Sequence, residues 1–412
     1  MKKVIKMEIK LKLIEMYYQE LEEKSRDNLD KAIKKIVEVK KKNGKIMVVT
    51  GSGPNIHEGV TVLISELMDK NVINSVSTSS AVIAHEMAGS LDKVKRIKVD
   101  RLGVKIDRNI IPRGDFFEFT QIKKEDLEKL KKEMILDELL LEKSRSIEGD
   151  IIIKAAGNMA YPMGLRTEIL SREIFHIAQT YNLPFEEVAG WGADQRTMIG
   201  KGVEKGLPVL VTVPQLVGGG MVGLSIGDSI SISERSMRIA RMLEESDIII
   251  ESAVALTQEI HDGPFECYTG HGIWSHWNGM KTFSLKEKTL IRIDLDQNLM
   301  KAKLMEKENK KIQEAINKGL PKTKITGIPF RMEMSAFARH EHSIPIVGDI
   351  GAIWPIIAYR VAEELGIHLD FMSYPQESEE GRKMREWIVD NVKPIDRDRL
   401  LKKAKQYEIR FN

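Results

Sequence analysis

The residues best suited to chemistry lie in one glycine-rich segment, 258–281, with the sequence QEIHDGPFECYTGHGIWSHWNGMK. It contains three histidines, two tryptophans, the only cysteine of the chain and several charged side chains, and it follows an apolar, strand-like run. A solvated surface loop rarely has this composition, whereas loops at the ends of rigid elements carry much binding and catalysis. We therefore interpret the segment as a functional loop.

One chemistry that fits this loop is the binding of an organic cation. Carboxylates next to an indole face attract such a cation through charge pairing and cation–π contact. Lys281 would then be the amine nucleophile for imine chemistry. On this interpretation the loop binds a polyamine or another organic cation, and the candidate substrate-binding residues are Asp262, Glu266, His271 and Trp277.

A metal site is the alternative use of the same loop. His261, His271 and His276, together with Asp262 or Cys267, have the donor atoms that zinc prefers. No HExxH motif or other tight helical spacing supports it, so we predict no metal and keep a metal-dependent hydrolase or lyase as the alternative function.

A second candidate site is the sequence IMVVTGSGPN at 46–55, in which a β-branched run ends in glycines. The backbone N–H groups of Gly51, Ser52 and Gly53, followed by Asn55, would suit a phosphate or pyrophosphate. The spacing matches neither the G-x-G-x-x-G fingerprint nor a P-loop, so a plain tight turn remains the alternative.

Four hydroxyls follow the next strand, in STSSA at 77–81. Helix capping needs one of them. Thr78, Ser79 and Ser80 are therefore further candidates for contacts with a ribose or a phosphate.

These loops need a scaffold that brings strand ends together. Continuous apolar runs such as LPVLVTV and DIIIESA are typical of strands in a sheet covered on both faces. Their alternation with helical patterns predicts a doubly wound α/β fold with a mostly parallel, Rossmann-like sheet. The predicted strands are 46–50, 73–78, 151–155, 208–213, 247–252, 289–294 and 344–347, with helices including 59–70, 167–181 and 233–245.

The two ends of the chain extend this scaffold. Residues 1–43 have helical apolar spacing and end at Asn43-Gly44, a helix stop. The charged helix at 303–324 marks a boundary between an α/β domain at 1–302 and a C-terminal α/β extension at 303–412. Within that extension the glycine-rich segment 348–355 could close over the pocket.

Composition restricts the function classes. The chain has 412 residues, 42% of them hydrophobic, with interleaved charges that sum to +3. Such a balance argues against nucleic-acid binding, and no apolar run reaches the roughly 18 residues of a membrane span. One cysteine excludes an internal disulfide, and the charged start lacks a secretory signal, so we expect a cytoplasmic protein. The 30% of charged residues also suits a thermophile.

Five segments, in order, resemble the deoxyhypusine synthase family. They are NIHEGVTVLISELMDKNVINSVSTSSAVIAHEMAGSL (55–91), GVKIDRNIIPRGDFFEF (103–119), LVGGGMV (216–222), ESDIIIESAVALTQEIHDG (245–263) and WNGMK (277–281). The resemblance implies a doubly wound NAD-binding fold, a homotetramer, and transfer of an aminobutyl group from spermidine through an enzyme lysine to an acceptor amine. The acceptor would be a polyamine or a lysine of a protein.

The resemblance also implies roles for individual residues. Gly53, Asn55, Thr78, Ser79 and Ser80 would contact NAD, with Asp294 near the nucleotide ribose. Asp262 and Glu266 would hold the polyamine ammonium groups, Trp277 would stack along its chain, and Lys281 would form the imine.

The chain departs from this family at two places. It reads GGGMVGLS where the family has Lys-His-His after its triple glycine, and Trp-Gly-Lys is stretched to Trp277-Asn278-Gly279-Met280-Lys281. A nucleotide-binding protein without the family's catalysis is therefore a further alternative.

Overall fold

The computed structural model describes residues 9–51, 53–103, 107, 109, 115–157, 159–212, 219–252, 285, 287–294, 301, 304–305, 308–318 and 342–411. The strands are β1 Ile46–Thr50, β2 Ser75–Thr78, β3 Leu91–Lys98, β4 Phe116–Thr120, β5 Asp150–Ala155, β6 Val209–Val211, β7 Ile248–Ser252, β8 Thr289–Asp294 and β9 Ser343–Val347.

The helices of the first half are α1 Leu11–Glu20, α2 Glu23–Lys41, α3 Pro54–His57, α4 Val60–Asp69, α5 Ser80–Met87, α6 Val99–Leu102, α7 Lys124–Glu133, α8 Glu138–Ser146 and α9 Met163–Tyr181. Those of the second half are α10 Phe185–Gly192, α11 Met198–Lys205, α12 Met221–Ser229, α13 Ile232–Glu245, α14 Lys310–Asn317, α15 Ile350–Leu365, α16 Glu379–Asn391 and α17 Arg397–Phe411.

Six strands form one parallel sheet in the order β6-β2-β1-β7-β8-β9. The chain starts in the middle at β1, moves outward through β2 to β6, and then returns to the other side of β1 with β7, β8 and β9. Val48 in β1 pairs with Val76 on one side and Ile250 on the other. The prediction of an α/β protein with a mainly parallel sheet is confirmed.

Alternating side chains of β1 enter two different cores, which explains why the whole strand is apolar and buried. Ile46 and Val48 belong to the larger core, together with apolar side chains of α2, α4 and α15. Met47 and Val49 belong to a smaller core with side chains of α13. Helices therefore cover both faces of the sheet.

A separate antiparallel sheet, β4-β3-β5, was not predicted. The apolar run at 151–155 was expected in the main sheet, which is wrong, because β5 pairs with β3. Ile151 is exposed, so the run is not covered on both faces as its composition suggested. β3, LDKVKRIK, buries only every third side chain and lacks the alternation that identifies a strand in a sequence.

The predicted N-terminal helix is two helices, α1 and α2, with Leu21 and Glu22 extended between them. Its stop is at the predicted place, since Asn43 has a φ of +58°. Residues 1–8 lie outside the described part of the chain. Among the described residues, every helix is too short or too polar to cross a bilayer.

The C-terminal segment completes the main sheet, because β9 pairs with β8 in register Ile291–Ile344. α15 packs against α2 and α4, α16 against β3, and α17 against α10. The domain boundary at 302/303 stays a prediction.

Candidate functional site

The carboxyl ends of the six parallel strands lie along one edge of the sheet, with β1 in the centre. The connection after β1 leads to β2 on one side, while β7 lies on the other side. Such a reversal of strand order opens a crevice at the carboxyl ends, where ligands of open α/β sheets bind. The crevice between β1 and β7 is therefore the candidate site.

The glycine turn at 51–53 lies at this crevice. Gly51 is buried, and Gly53 has φ +48° and ψ −99°, a conformation that side chains other than glycine rarely adopt. A Cβ built on Gly53 would meet no atom of the described residues within 4 Å. The turn thus presents its backbone to open space, as close approach of a ligand requires. Ser52 lies outside the described residues.

Hydroxyls at the neighbouring strand ends are buried without partners. Thr50 ends β1 and Thr78 ends β2; both side chains are fully buried, and within the described part of the chain neither Oγ1 has a hydrogen-bond partner. Ser79 instead caps α5, since its side chain accepts from the Val82 N–H at 3.3 Å. Ser80 is buried. Helix capping therefore explains Ser79, as the sequence suggested. It does not explain the hydroxyls of Thr50 and Thr78, which are available to a ligand.

The two walls of the crevice are tied together by a buried hydrogen-bond network. The Ser252 hydroxyl, at the end of β7, donates to Asn55 Oδ1 at 2.6 Å and accepts from Trp354 Nε1 at 2.8 Å. Asn55 Nδ2 donates to the Ser252 carbonyl at 3.4 Å. Asn55, which was predicted to contact the cofactor, thus holds the turn after β1 against the end of β7.

The glycine-rich segment 348–355, expected to close over the pocket, contributes Trp354 to this network from within α15. Trp354 is fully buried, as are Ser252 and Asn55. Sequence analysis did not single out Ser252 or Trp354. The signal available was a hydroxyl at the end of β7, two residues after its apolar run.

A buried ion pair lies nearby at the ends of the next two strands. Arg292 Nε in β8 donates to Glu251 Oε2 in β7 at 3.0 Å, and both side chains are 1% exposed. Asp294, predicted to lie near the ribose, is the last residue of β8 and pairs with Val347. The charged groups of this half of the crevice therefore come from β7 and β8.

A buried carboxyl that sequence analysis missed follows α3. Glu58 Oε2 accepts from the Gln376 N–H at 2.5 Å. The pKa of Glu58 is raised to about 7, mainly by burial; the Gln376 N–H opposes this rise, and the carboxylates of Asp349 and Glu377 contribute to it. A carboxyl that titrates near neutral pH can give or accept a proton in catalysis.

The predicted substrate and catalytic residues Asp262, Glu266, His271, Trp277 and Lys281 lie outside the described residues, and their roles stay predictions. The histidines at 261, 271 and 276 lie there as well. Among the residues that the structure describes, no group of three or more His, Cys, Asp and Glu side chains has an arrangement that could hold a metal.

No protein-family model and no curated protein matches the chain. Solved structures do. ArgZ, an arginine dihydrolase from cyanobacteria, has 10% identity and a TM-score of 0.37 over 81% of this chain and 31% of its own. AgrE in ternary complex with ornithine and NAD⁺ has 11% identity and a TM-score of 0.38 over 83% of this chain and 34% of its own.

A conserved putative LOR/SDH protein from Methanococcus maripaludis S2 has 10% identity and a TM-score of 0.37 over 89% of this chain and 72% of its own. This chain spans about a third of the length of ArgZ and AgrE. At such identities the likeness concerns the fold alone. The cofactor predicted from the sequence, NAD, is the one bound in the AgrE complex.

The resemblance to deoxyhypusine synthase is wrong, because the similar structures are ArgZ, AgrE and the LOR/SDH protein. The expected aminobutyl transfer from a polyamine is wrong with it, and a metal-dependent hydrolase or lyase finds no support. Glycines after the first strand and hydroxyls after the second occur at the carboxyl edge of many parallel sheets. The order of the glycine and hydroxyl segments along this chain therefore reflects the architecture of a parallel sheet and not one family. Association into a homo-oligomer stays a prediction.

Proposed function

We propose that this chain binds NAD in the crevice between β1 and β7 and acts as an NAD-dependent enzyme on a small-molecule substrate. The strand order carries the proposal. Numbered along the chain within the main sheet, β6-β2-β1-β7-β8-β9 is 3-2-1-4-5-6, the order of the Rossmann fold, which binds dinucleotides across the point of reversal.

The residues present at that point suit a dinucleotide. The turn at Gly51 and Gly53 offers backbone N–H groups and open space for a pyrophosphate, although its spacing departs from the Rossmann fingerprint. The unpartnered hydroxyls of Thr50 and Thr78 are groups that a ribose or phosphate would satisfy. Bound NAD would supply a ring carbon that accepts or donates a hydride.

The side chains of this protein would hold the two sides of the crevice in place and would take up or release a proton. The network of Asn55, Ser252 and Trp354 fixes the distance between the turn after β1 and the end of β7. Glu58, with its pKa raised to about 7 by burial, is the candidate group for taking up or releasing the proton that accompanies hydride transfer.

The direct test is calorimetric titration of NAD into the wild type and into Gly53→Ala. A methyl group at Gly53 strains the turn and projects into the space assigned to the cofactor, so we expect at least about a tenfold rise in Kd. Gly366→Ala is the matched control: Gly366 has φ +65° and equally open surroundings, but it ends α15. It should bind NAD like the wild type.

A second pair of variants separates binding from stability. Thr78→Val and Thr50→Val remove buried hydroxyls that have no partner, so the unliganded variants should be as stable as the wild type or more stable, by up to about 1 kcal/mol. Both should bind NAD more weakly. Thr289→Val, at the opposite end of the sheet, should leave NAD affinity unchanged. Absence of NAD binding by the wild type would overturn the proposed function.

A further inference from the structure

A second group of ionisable side chains, which the proposed function does not use, lies where α3 meets the antiparallel sheet. We call His57, His85, Lys154 and Arg385 the cationic cluster. They come from α3, α5, β5 and α16 respectively. Because α3 has four residues, His57 lies only about 6 Å along the helix from the glycine turn.

Two members of the cationic cluster have clear partners. The ring Nδ1 of His85 lies 2.7 Å from the Ala156 carbonyl oxygen. A carbonyl only accepts, so Nδ1 carries the hydrogen in this contact. Lys154 Nζ pairs with Glu118 at 2.5 Å. The charge of Lys154 is therefore neutralised locally.

The other two members have buried atoms without partners. His57 Nδ1 and Arg385 Nε are both buried, and neither has a hydrogen-bond partner among the residues that the structure describes. One arm of Arg385 donates to the Ile153 carbonyl, but no carboxylate of the described residues lies within ion-pair distance of its guanidinium. Leaving such groups unsatisfied is unfavourable, and more so for a charged group than for a neutral one.

The surroundings leave this pair with excess positive charge. Burial lowers the pKa of His57 most, followed by the charges of Arg385, His85 and Lys154. Burial also lowers the pKa of Arg385, against the attraction of Glu58.

The nearby carboxyls do little to neutralise this charge below neutral pH. Asp92 on β3 lies opposite Lys154 in the strand pairing of β3 with β5. Burial raises the pKa of Asp92 to about 7, and it raises the pKa of Glu58 to about 7 as well. Below that pH both are mostly uncharged, so the positive charge of Arg385 has no local counter-ion.

We propose that His57 and Arg385 hold the carboxylate of the small-molecule substrate. The proposal rests on the proposed function, because the site lies next to the cofactor crevice. Two N–H donors, one imidazole and one guanidinium, match the two oxygens of a carboxylate, and such charge-assisted hydrogen bonds are among the stronger ones in proteins. The anion would satisfy both orphaned nitrogens and supply the missing negative charge. The substrate class is thus a small carboxylic acid.

The experiment follows the histidine ring signals by NMR during pH titrations in sodium acetate and in sodium chloride of equal ionic strength. His57→Gln identifies the His57 signal. An opposite charge at hydrogen-bond distance favours the protonated ring, so acetate should raise the pKa of His57 by about one unit. Arg385→Gln should abolish this shift. Arg382→Gln, an exposed arginine on the same helix, should retain it.

If Arg385→Gln does not fold, Arg385→Lys replaces it, because it keeps the charge but lacks Nε. In addition, acetate should raise the Tm of the wild type more than chloride does, and the Arg385 variant should lose the difference. The same pKa of His57 in both salts would overturn the proposal. A shift in phosphate but not in acetate would also overturn it, in favour of a phosphate-bearing ligand.

NAD titrations of the same proteins separate the two proposals. We expect Arg385→Gln to bind NAD within about twofold of the wild type, since Arg385 is not assigned to the cofactor. If the wild type binds acetate at His57 but does not bind NAD, the proposed function fails, and with it the assignment to a substrate. If it binds NAD but shows no acetate effect, the carboxylate site alone fails.

Discussion

The network at the crevice makes a prediction that joins stability to cofactor binding. In Ser252→Ala the hydroxyl that serves Asn55 Oδ1 and Trp354 Nε1 is lost, and both groups stay fully buried. A buried polar group without a partner costs about 1–3 kcal/mol. We therefore expect Ser252→Ala to lower the free energy of unfolding by about 2–5 kcal/mol.

Ser246→Ala is the matched control, at the C-terminal end of α13 and two residues before β7. Ser246 is also buried, but its hydroxyl makes one bond, to the Met242 carbonyl at 2.7 Å. Its removal should cost about 1 kcal/mol. The assay is urea denaturation followed by circular dichroism, in which the slope m should stay unchanged.

NAD binding then tests whether the network positions the site. Without the Ser252 hydroxyl, Asn55 keeps only its 3.4 Å hydrogen bond to the Ser252 carbonyl, so the turn after β1 is held less firmly against β7. NAD affinity should therefore fall about five- to tenfold in Ser252→Ala. It should stay unchanged in Ser246→Ala. Equal losses of stability in the two variants, together with equal NAD affinity, would refute the reasoning.

Three further predictions concern stability. Burial raises the pKa of the Glu58 carboxyl to about 7 in the folded protein, whereas in the unfolded chain it ionises above about 4.5. The buried carboxyl therefore stabilises the fold only while it is protonated in both states. Its contribution to the free energy of unfolding is lost as the pH rises from about 4.5 to 7. Glu58→Gln should thus gain about 2 kcal/mol relative to the wild type between pH 5 and 8 in urea denaturation; a constant difference would contradict this. Glu186→Gln breaks the fully buried ion pair with Arg235 that joins α10 to α13. It should lower the free energy of unfolding by about 3–5 kcal/mol in the same assay, and a loss below about 1 kcal/mol would contradict this. Gly59→Ala places a Cβ 2.6 Å from Met384 Sδ at a φ of +69°, so its Tm should drop further than that of Gly366→Ala, which has a similar φ and open space; equal Tm values would contradict the contact.

The parallel sheet could be predicted from the sequence because its strands are covered on both faces. Such strands are short runs of apolar residues, which are recognisable from composition alone. The predicted strands at 46–50 and 289–294 agree with β1 and β8 at both ends. The antiparallel sheet was not readable, because β3 is rich in lysine and its burial follows a period of three. Its pairing depends on partners 18 to 64 residues away, which no local pattern records.

The sequence by itself determined that glycines and hydroxyls follow the first two strands of a parallel sheet, since strand length, turn residues and alternation are local properties. It did not determine which strands are neighbours. Only the tertiary structure placed β7 next to β1 and so created the crevice, brought Ser252 to Asn55 across 197 positions of sequence and Trp354 to Ser252 across 102, and left His57 near Arg385, which has no ion-pair partner among the described residues. Burial and long-range pairing decide these features, because both depend on the whole chain being folded.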